Sequence, residues 1–541
     1  MKYYQLHQAL QAPQSVTTLV LHRPLAADLA RLNEALRQMP ALQTLELSGI
    51  NFQQLPPQIA ELNRLEKFKL NQCHIAKGPN RLPPSLKELS IIHSNLPQLP
   101  EWPPQLSHLL LCGEKLSPLL PRLLAQLQNA TGKVPPLKKL SLTRLGIRHL
   151  PKGLFKKLRQ LNKLDLSNNR LTTLPDLPDY LPLQSLRLAH NRLRQLPELE
   201  LQELDAQHNF IKSVPQTILQ NRKTTHLNLA HNRIELLEEF KLPLLQQLFL
   251  QNNLLRQWPK GLEHSKSLRR LNLNYNRLEE IPAKAPELPA LQELGLAGLG
   301  RHQRHPHLPE ELAGFRQIRQ LDLSRTSLKK IPPNFGALEN LQSCKGPALF
   351  KQAARLIKQL KKQEISTEQR KQLPPLWAWL SEEQNSPLKL PPSLLLALVS
   401  SRLPKVRKTA KKQLQLQEDE IPNELLKQGN KVLLIGRPHG SIKKLKILLQ
   451  KNKLELILHP QAFKQAQFAL LGKPPYPEDS SWFSRIPLFA EKSLLKSIYQ
   501  HEPMSAEELD KIRLMFSSGD PHLQQLARRL LKAKGLDQLP E

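Results

Sequence analysis

Cysteine and aromatic residues are scarce in this chain of 541 residues, and acidic residues are outnumbered. Three cysteines, Cys73, Cys112 and Cys344, cannot build a disulfide framework, and their spacing is not that of metal ligands. Aromatics make up 5%, which argues against a protein that works mainly by stacking bases or sugars on rings. No window reaches the roughly 18 uninterrupted apolar residues of a membrane span, and the N-terminal MKYYQLHQALQAPQSV lacks the apolar stretch of a secretion signal. A cytoplasmic protein without integral membrane association is the expectation. The 46 Asp and Glu face 79 Lys and Arg, a formal charge of +33 that raises the prospect of an acidic partner. Hydrophobic residues reach 39%, enough for a sizeable core. The length exceeds one ordinary core, so several domains or a repeat array must share it.

Self-similarity decides between these. LNKLDLSNNRLTTLP from Leu161 recurs as LQSLRLAHNRLRQLP from Leu183, LQELDAQHNFIKSVP from Leu201, LQQLFLQNNLLRQWP from Leu245 and LRRLNLNYNRLEEIP from Leu268. Weaker copies begin near Leu42, Leu65, Leu86, Leu106, Leu137, Leu291 and Ile318, and Val16 to Leu21 opens the series. This makes about 14 units with a period mostly between 18 and 24, the range of leucine-rich repeats. In LxxLxLxxN the leucines point inward from a short strand and the residues between them face solvent. The Asn at the ninth position (Asn169, Asn191, Asn209, Asn232, Asn253 and Asn276) can satisfy backbone groups where the chain leaves the strand. Cys73, Ser94 and Thr326 replace it in outer units. Leu-Pro pairs that close many units favour extended convex segments over long helices. Stacked units predict an α/β fold, a curved solenoid with a parallel sheet on its concave face. Two units are longer: SPLLPRLLAQLQNATGKVPP predicts a short helix, and LGRHQRHPHLPEEL carries His302, His305 and His307. That trio could ligate a metal, although a polar loop is the plainer reading.

The region resembles intracellular leucine-rich repeat proteins of bacteria with LP-terminated units. LPPSLKELSIIHSNLPQLP, from Leu82 to Pro100, is also similar to repeats of secreted bacterial effector ligases. Those ligases carry a C-terminal nucleophilic cysteine in a Cys-x-Asp context. Here the only late cysteine is Cys344, in SCKGP, so the ligase implication fails, and Cys344 is expected to be a small buried hydrophobe.

Positions three, five and seven of each unit form the expected binding surface. Their basic members are Lys67, Lys69, Lys139, Lys163, Arg187 and Arg270; their acidic members are Glu46, Glu88, Asp165, Glu203, Asp205, Glu293 and Asp322. Near-balance does not describe a polyphosphate groove. With His108, Leu110, His226, Asn228, Gln247, Phe249, Gln251, Asn272 and Asn274 the surface is mixed, which suits a protein partner. Arg170, Arg192, Arg233 and Arg277 follow ladder asparagines and line one rim, as a solvated edge or as candidate anion contacts without aromatic interleaving.

Beyond residue 344 helical periodicity takes over, and residues 345–428 form a basic helical region. Residues 345–453 hold 23 Lys and Arg against 8 Asp and Glu, a net of +15, and 454–541 hold 11 of each. LPPSLLLALVSSRLPKVRKTAKKQLQLQ resembles one HEAT-type helical unit. KVLLI (Lys431 to Ile435), the GRPHG turn with Ser441 as N-cap, the helix IKKLKILLQKN, then LELIL, QFALLG and IPLF feeding EKSLLKSIY follow in that order. This order over 429–503 resembles a BRCT domain of the bacterial DNA-ligase type. The resemblance rests on Gly436, on Leu471–Gly472 and on the Ile486–Phe489 strand feeding Glu491–Tyr499. Phosphate-binding members place Ser or Thr where Ile435 stands, the glycine pair after the first helix is replaced by KNKLE, and the aromatic of the last helix is missing. A docking or spacer role is therefore expected. Residues 504–541 predict a helical hairpin whose second helix begins at Asp520–Pro521.

No P-loop, HExxH, Ser/His/Asp set or paired-carboxylate motif stands out. A non-enzymatic, cofactor-free, monomeric scaffold that grips a protein partner is the functional expectation. The alternative is association with nucleic acid through Lys405, Arg407, Lys408, Lys411, Lys412, Lys443 and Lys444 on the basic helices.

Overall fold

The structure is a computed structural model. It describes residues 1–78, 81–98, 100–129, 135–279, 282, 286–299, 308, 313–363, 365, 367–381, 390–399, 401–416, 425–426, 429–435, 442–451, 454–458, 466–471, 487–490, 493–494, 506–518 and 521–533. His302, His305, His307, the GRPHG turn with Ser441, Gly472 and Asp520 lie outside these residues.

Sixteen strands of the described residues, from Lys2–Tyr3 to Ser343–Lys345, form one sheet in chain order. Fourteen fall on the units counted from the sequence. The two extra strands, Lys2–Tyr3 and Ser343–Lys345, close the sheet at its ends. Pairing is parallel and in register, so that Leu140, Leu164, Leu186, Leu204, Leu227 and Leu248 stand side by side across six strands. All six are buried. Each buried leucine contributes about 1.5–3 kcal/mol of transfer free energy. One unit cannot bury its apolar face alone, and only the neighbour covers it. Asn51–Gln54 and His74–Lys77 pair as a separate parallel ribbon, and the long insert folds into a 3-10 turn, Glu114–Leu119, and a helix, Leu120–Asn129.

The ladder asparagines join the units through backbone groups. Asn191 Oδ1 accepts the Leu171 N–H at 3.0 Å, and its Nδ2 donates to the carbonyls of Leu166 and Leu188 at 2.9 and 3.0 Å. Asn169, Asn209, Asn232, Asn253 and Asn276 repeat this pattern. In the outer units Ser94 Oγ accepts the Cys73 N–H, and Thr326 Oγ1 donates to the Leu323 carbonyl. Immediately before each of the six asparagines, Asn168, His190, His208, His231, Asn252 and Tyr275 adopt a left-handed conformation with φ between 54° and 59°. That bend turns the chain out of the strand, and Asn and His tolerate it better than most residues.

The chain divides into two compact units, 1–328 with 343–347, and 329–342 with 348–541. Lys329–Gln342 groups with the helices that follow, while Ser343–Pro347 stays with the sheet. Phe335 is fully buried, with its ring 5.6 Å from Phe350 and 6.1 Å from Trp377, edge-on to both. The Ile331 N–H donates to Ser381 Oγ at 2.9 Å. Cys344 is half-buried rather than buried. It lies on the terminal strand of the sheet, where only one side has a neighbouring strand.

In the second unit, helices run over Ala348–Lys362, Thr367–Lys371, Pro374–Ser381, Pro392–Leu398 and Pro404–Gln413. Phe350, Ala353, Leu356, Ile357 and Leu360 recur at helical spacing on one buried face. A four-stranded parallel sheet follows, ordered Glu455–Ile457, Lys431–Ile435, Phe468–Leu471, Leu488–Ala490, with the helix Ile442–Lys451 linking Lys431–Ile435 to Glu455–Ile457. Its core gathers Val432, Leu434, Leu449, Phe468, Leu470 and Phe489. The helices Ala506–Ser517 and Pro521–Ala533 pair over Ile512, Ala527 and Leu531.

Candidate binding surface of the solenoid

The sheet register assembles two continuous rows on the concave face. Position three runs Lys139, Lys163, Ser185, Glu203, His226, Gln247, Arg270, Glu293; position five runs Ser141, Asp165, Arg187, Asp205, Asn228, Phe249, Asn272, Gly295. Position seven is mixed, with Gln251 and Asn274 partly exposed. Ser167, Ala189 and Ala230 are buried, because the chain already turns toward the left-handed residue there.

The position-five row has a second occupation that the sequence reading did not assign. Asp165, Asp205, Asn228 and Asn272 each accept, through a side-chain oxygen, the backbone N–H two residues on, at 2.9, 3.3, 3.2 and 3.0 Å. Such Asx turns hold the chain as it leaves the strand. Asn274 Oδ1 likewise accepts the Ala297 N–H at 2.7 Å. Burial pushes the Asp205 carboxyl above the usual carboxylate range, against the pull of the Gln207 N–H and Arg187. These five side chains shape the surface as well as face it.

Charges that looked balanced are partly paired across strands. Lys67 meets Glu88 at 3.1 Å, Lys69 meets Glu46 at 3.5 Å, and Arg270 meets Glu293 at 3.2 Å. All six side chains are at least one-third exposed, so each pair contributes about 0–1 kcal/mol. Glu203 accepts from Ser185 Oγ at 3.0 Å. Lys139, Lys163 and Arg187 form no ion pair among the described residues. They border a cleft of about 320 Å³ with Ser90, Leu110, Ser141 and His108. Burial, then Lys139, hold the His108 imidazole below its ordinary value. A second cleft of about 140 Å³ lies at Phe249, Asn272, Asn274, Gly295, Asp322 and Lys345. Gly295 creates it: a Cβ there would stand 2.6 Å from Asn274 Oδ1 and 2.7 Å from Asn272 Oδ1.

The rim arginines Arg170, Arg192, Arg233 and Arg277 are exposed. Phe210 takes the same position in its own unit, and the Arg233 guanidinium lies 4.6 Å from its ring centroid. One position before the ladder, His208 stacks between His190 and His231, at 4.2 and 3.9 Å between ring centroids. The sequence reading missed this column, although its signal, His-Asn in three successive units, is plain in the chain.

On the helix Pro404–Gln413, Lys405, Arg407, Lys408 and Lys412 are exposed and Lys411 is half-buried. Arg407 is already engaged, donating from Nη1 to the Ser401 carbonyl at 3.1 Å. Lys443 is exposed on the helix Ile442–Lys451; the Lys444 side chain is outside those described. Among the described residues no group of three or more His, Cys, Asp or Glu could hold a metal ion. No helix of the described residues is long and apolar enough to cross a membrane.

Residues 135–194 match the leucine rich repeat family model. The parallel register of the long sheet repeats the same unit geometry on both sides of that match. Among curated relatives, human biglycan is 33% identical over 131 residues, 22% of this chain and 35% of its own length, and bovine osteomodulin is 28% identical over 193 residues, 34% and 43%. The biglycan match thus spans about a third of that relative's length. Among solved structures, a leucine-rich repeat protein of Leptospira interrogans aligns over 64% of this chain and 88% of its own at 26% identity and a TM-score of 0.47. An internalin of Listeria monocytogenes aligns over 58% and 88% at 18% identity and a TM-score of 0.42.

Proposed function

We propose that the chain is a non-enzymatic intracellular scaffold whose solenoid grips a protein partner on its concave face. The observation that carries this reading is the pair of clefts on the two central rows. One is bordered by Lys139, Lys163, Arg187 and Leu110, the other centred on Phe249 and Gly295. A rigid strip with a half-buried aromatic anchor, unpaired cations and small residues between them offers the mixed contacts that protein interfaces use. The leucine-rich repeat family match and the biglycan relationship support the binding class. The parallel sheet spanning 431–490 supports reading that segment as a BRCT-like docking module, and its first strand ends at Ile435, which offers no hydroxyl to a phosphate.

The test is affinity purification from cell lysate with the full chain and with Phe249→Ala/Arg187→Glu. Neither side chain accepts a backbone hydrogen bond, so the fold should survive. Loss of a defined partner in the variant is the expected result. Retention of every partner at parent level would move the interface off the concave face.

The basic helices carry a second reading, contact with nucleic acid. Its favouring observation is that Lys405, Lys408 and Lys412 are exposed on one short helix. Unchanged binding to nucleic acid after Lys405→Glu/Lys408→Glu/Lys412→Glu would remove it.

A further inference from the structure

We propose that the rim flanking the asparagine ladder is a binding site for single-stranded nucleic acid, with arginines on the phosphates and ring side chains against the bases. Its residues are different from those of the concave strip and those of the basic helices. From Asn168 to Tyr275, the six positions before the ladder asparagines hold no carboxylate, and neither do the six after them, from Arg170 to Arg277. Arg170, Arg192 and Arg277 form no ion pair among the described residues. The planar guanidinium matches a phosphodiester with two parallel hydrogen bonds, which an ammonium cannot do.

Rings interleave with these cations: Phe210 takes the arginine position in its unit, and Tyr275 the position before its ladder asparagine. Phe210 is 38% exposed and Tyr275 is 37% exposed, so both keep ring surface in solvent beside the arginine row. Arg233 lies over the Phe210 ring, which pre-orients its fork. Base stacking on exposed rings is indifferent to sequence and requires unpaired bases, so single strands suit this rim better than duplex. An acidic protein segment would use the arginines and leave the rings idle.

The histidine column makes such binding pH-dependent. Burial first, then the neighbouring imidazoles, hold His208 and His231 below the ordinary histidine value. Asp205 is the carboxylate whose charge interacts with His190. The Asn252 amide meets His231 Nε2 at 3.3 Å, and Arg192 and Arg233 follow two residues after His190 and His231. Protonating stacked rings about 4 Å apart is opposed by their mutual repulsion. A polyanion laid along the rim supplies the missing counter-charge. Its binding therefore takes up protons, and affinity rises as pH falls below 7.

The experiment is fluorescence anisotropy of a labelled 20-residue oligo(dT) with the full chain, as a function of salt at pH 7.5 and pH 6. The expected result is binding that weakens steeply with salt and strengthens at pH 6. Arg170→Ala/Arg192→Ala/Arg233→Ala should lose tenfold or more in affinity and about two units of salt slope, at roughly 0.7 per phosphate. Arg170→Lys/Arg192→Lys/Arg233→Lys should recover the salt slope and only part of the affinity. His190→Asn/His208→Asn/His231→Asn keeps left-handed-tolerant residues and should abolish the gain at pH 6. Circular dichroism melts confirm folding of each variant. Parent-like binding by the alanine variant overturns the site and assigns any binding to the helices, which Lys405→Glu/Lys408→Glu tests directly. Equal competition by polyglutamate of matched charge overturns the nucleic-acid assignment in favour of an acidic protein. A pH gain that survives the histidine variant overturns the coupling.

Discussion

Asn209 and Leu193 are joined across a repeat boundary: the carboxamide oxygen of Asn209 accepts the Leu193 N–H at 3.0 Å, while its nitrogen donates to the carbonyls of Leu188 and Ala206 at 2.9 and 3.1 Å. One buried side chain thus serves two units. Asn209→Leu fills the volume and leaves these backbone groups unpaired. Each orphaned buried group costs about 1–3 kcal/mol, so the solenoid's urea transition should move to clearly lower denaturant. An unchanged midpoint would show that solvent reaches the turn and that the ladder contributes little.

Gly261 allows a backbone approach that no other residue permits. It sits at φ +96°, and a Cβ there would stand 2.1 Å from the Phe240 carbonyl oxygen and 2.7 Å from its nitrogen. Backbone cannot yield as a side-chain tip can, so Gly261→Ala should unfold the neighbouring units or cost at least 3 kcal/mol. The nearest atoms to a Cβ at Gly295 are the side-chain tips of Asn272 and Asn274, so Gly295→Ala should cost less while closing the small cleft. Paired thermal melts of the two variants check the ranking.

Acid should weaken the solenoid through His208 and His231. Their folded values lie below the unfolded one, near 6.5, so below that pH the unfolded chain binds more protons. Stability contributed by the neutral rings is present above about pH 6.5 and falls as pH drops toward the lowered folded values. The drop in melting temperature from pH 7.5 to pH 5.5 should shrink in His208→Asn/His231→Asn. Asp205, raised by burial, acts in both proteins and cancels in the comparison.

Phe335 anchors the segment 329–342 among the helices of the second unit. Phe335→Ala removes a fully buried ring from edge contacts with Phe350 and Trp377, at a cost of about 3–5 kcal/mol. Limited proteolysis should then cut within 348–381 well before the parent does. Equal protection would mean that the helices hold together without this ring.

The three thiols should separate by reactivity. Cys73 is buried and its thiol is pushed up by desolvation, whereas Cys112 and Cys344 are half-exposed. Titration of the native chain with a thiol-reactive dye should modify two groups readily and leave Cys73 until denaturant is added.

Much of this protein was legible in its chain because leucine-rich repeats restate one local rule many times. LxxLxLxxN names the buried leucines, the solvent-facing rows and the ladder asparagines through period-two alternation and a single turn residue, all local properties. Asn169 to Asn276 could therefore be located without coordinates, and so could the strand Lys431–Ile435 from its apolar run.

What the chain alone could not decide depended on which side chains become neighbours. Asp165, Asp205, Asn228 and Asn272 read as free surface polar groups until the turn geometry brought an N–H to each. Arg270 and Glu293, 23 residues apart, became an ion pair only when adjacent strands aligned. His190, His208 and His231 recur at one position of three units, but only the stacking of those units placed their rings about 4 Å apart. Cys344 belonged to the repeat pattern but stands at the end of the sheet, where half of its burial is missing. Sequence determined the unit because the unit's rules act within about twenty residues; tertiary structure decided the surface because a surface is made of residues from different units.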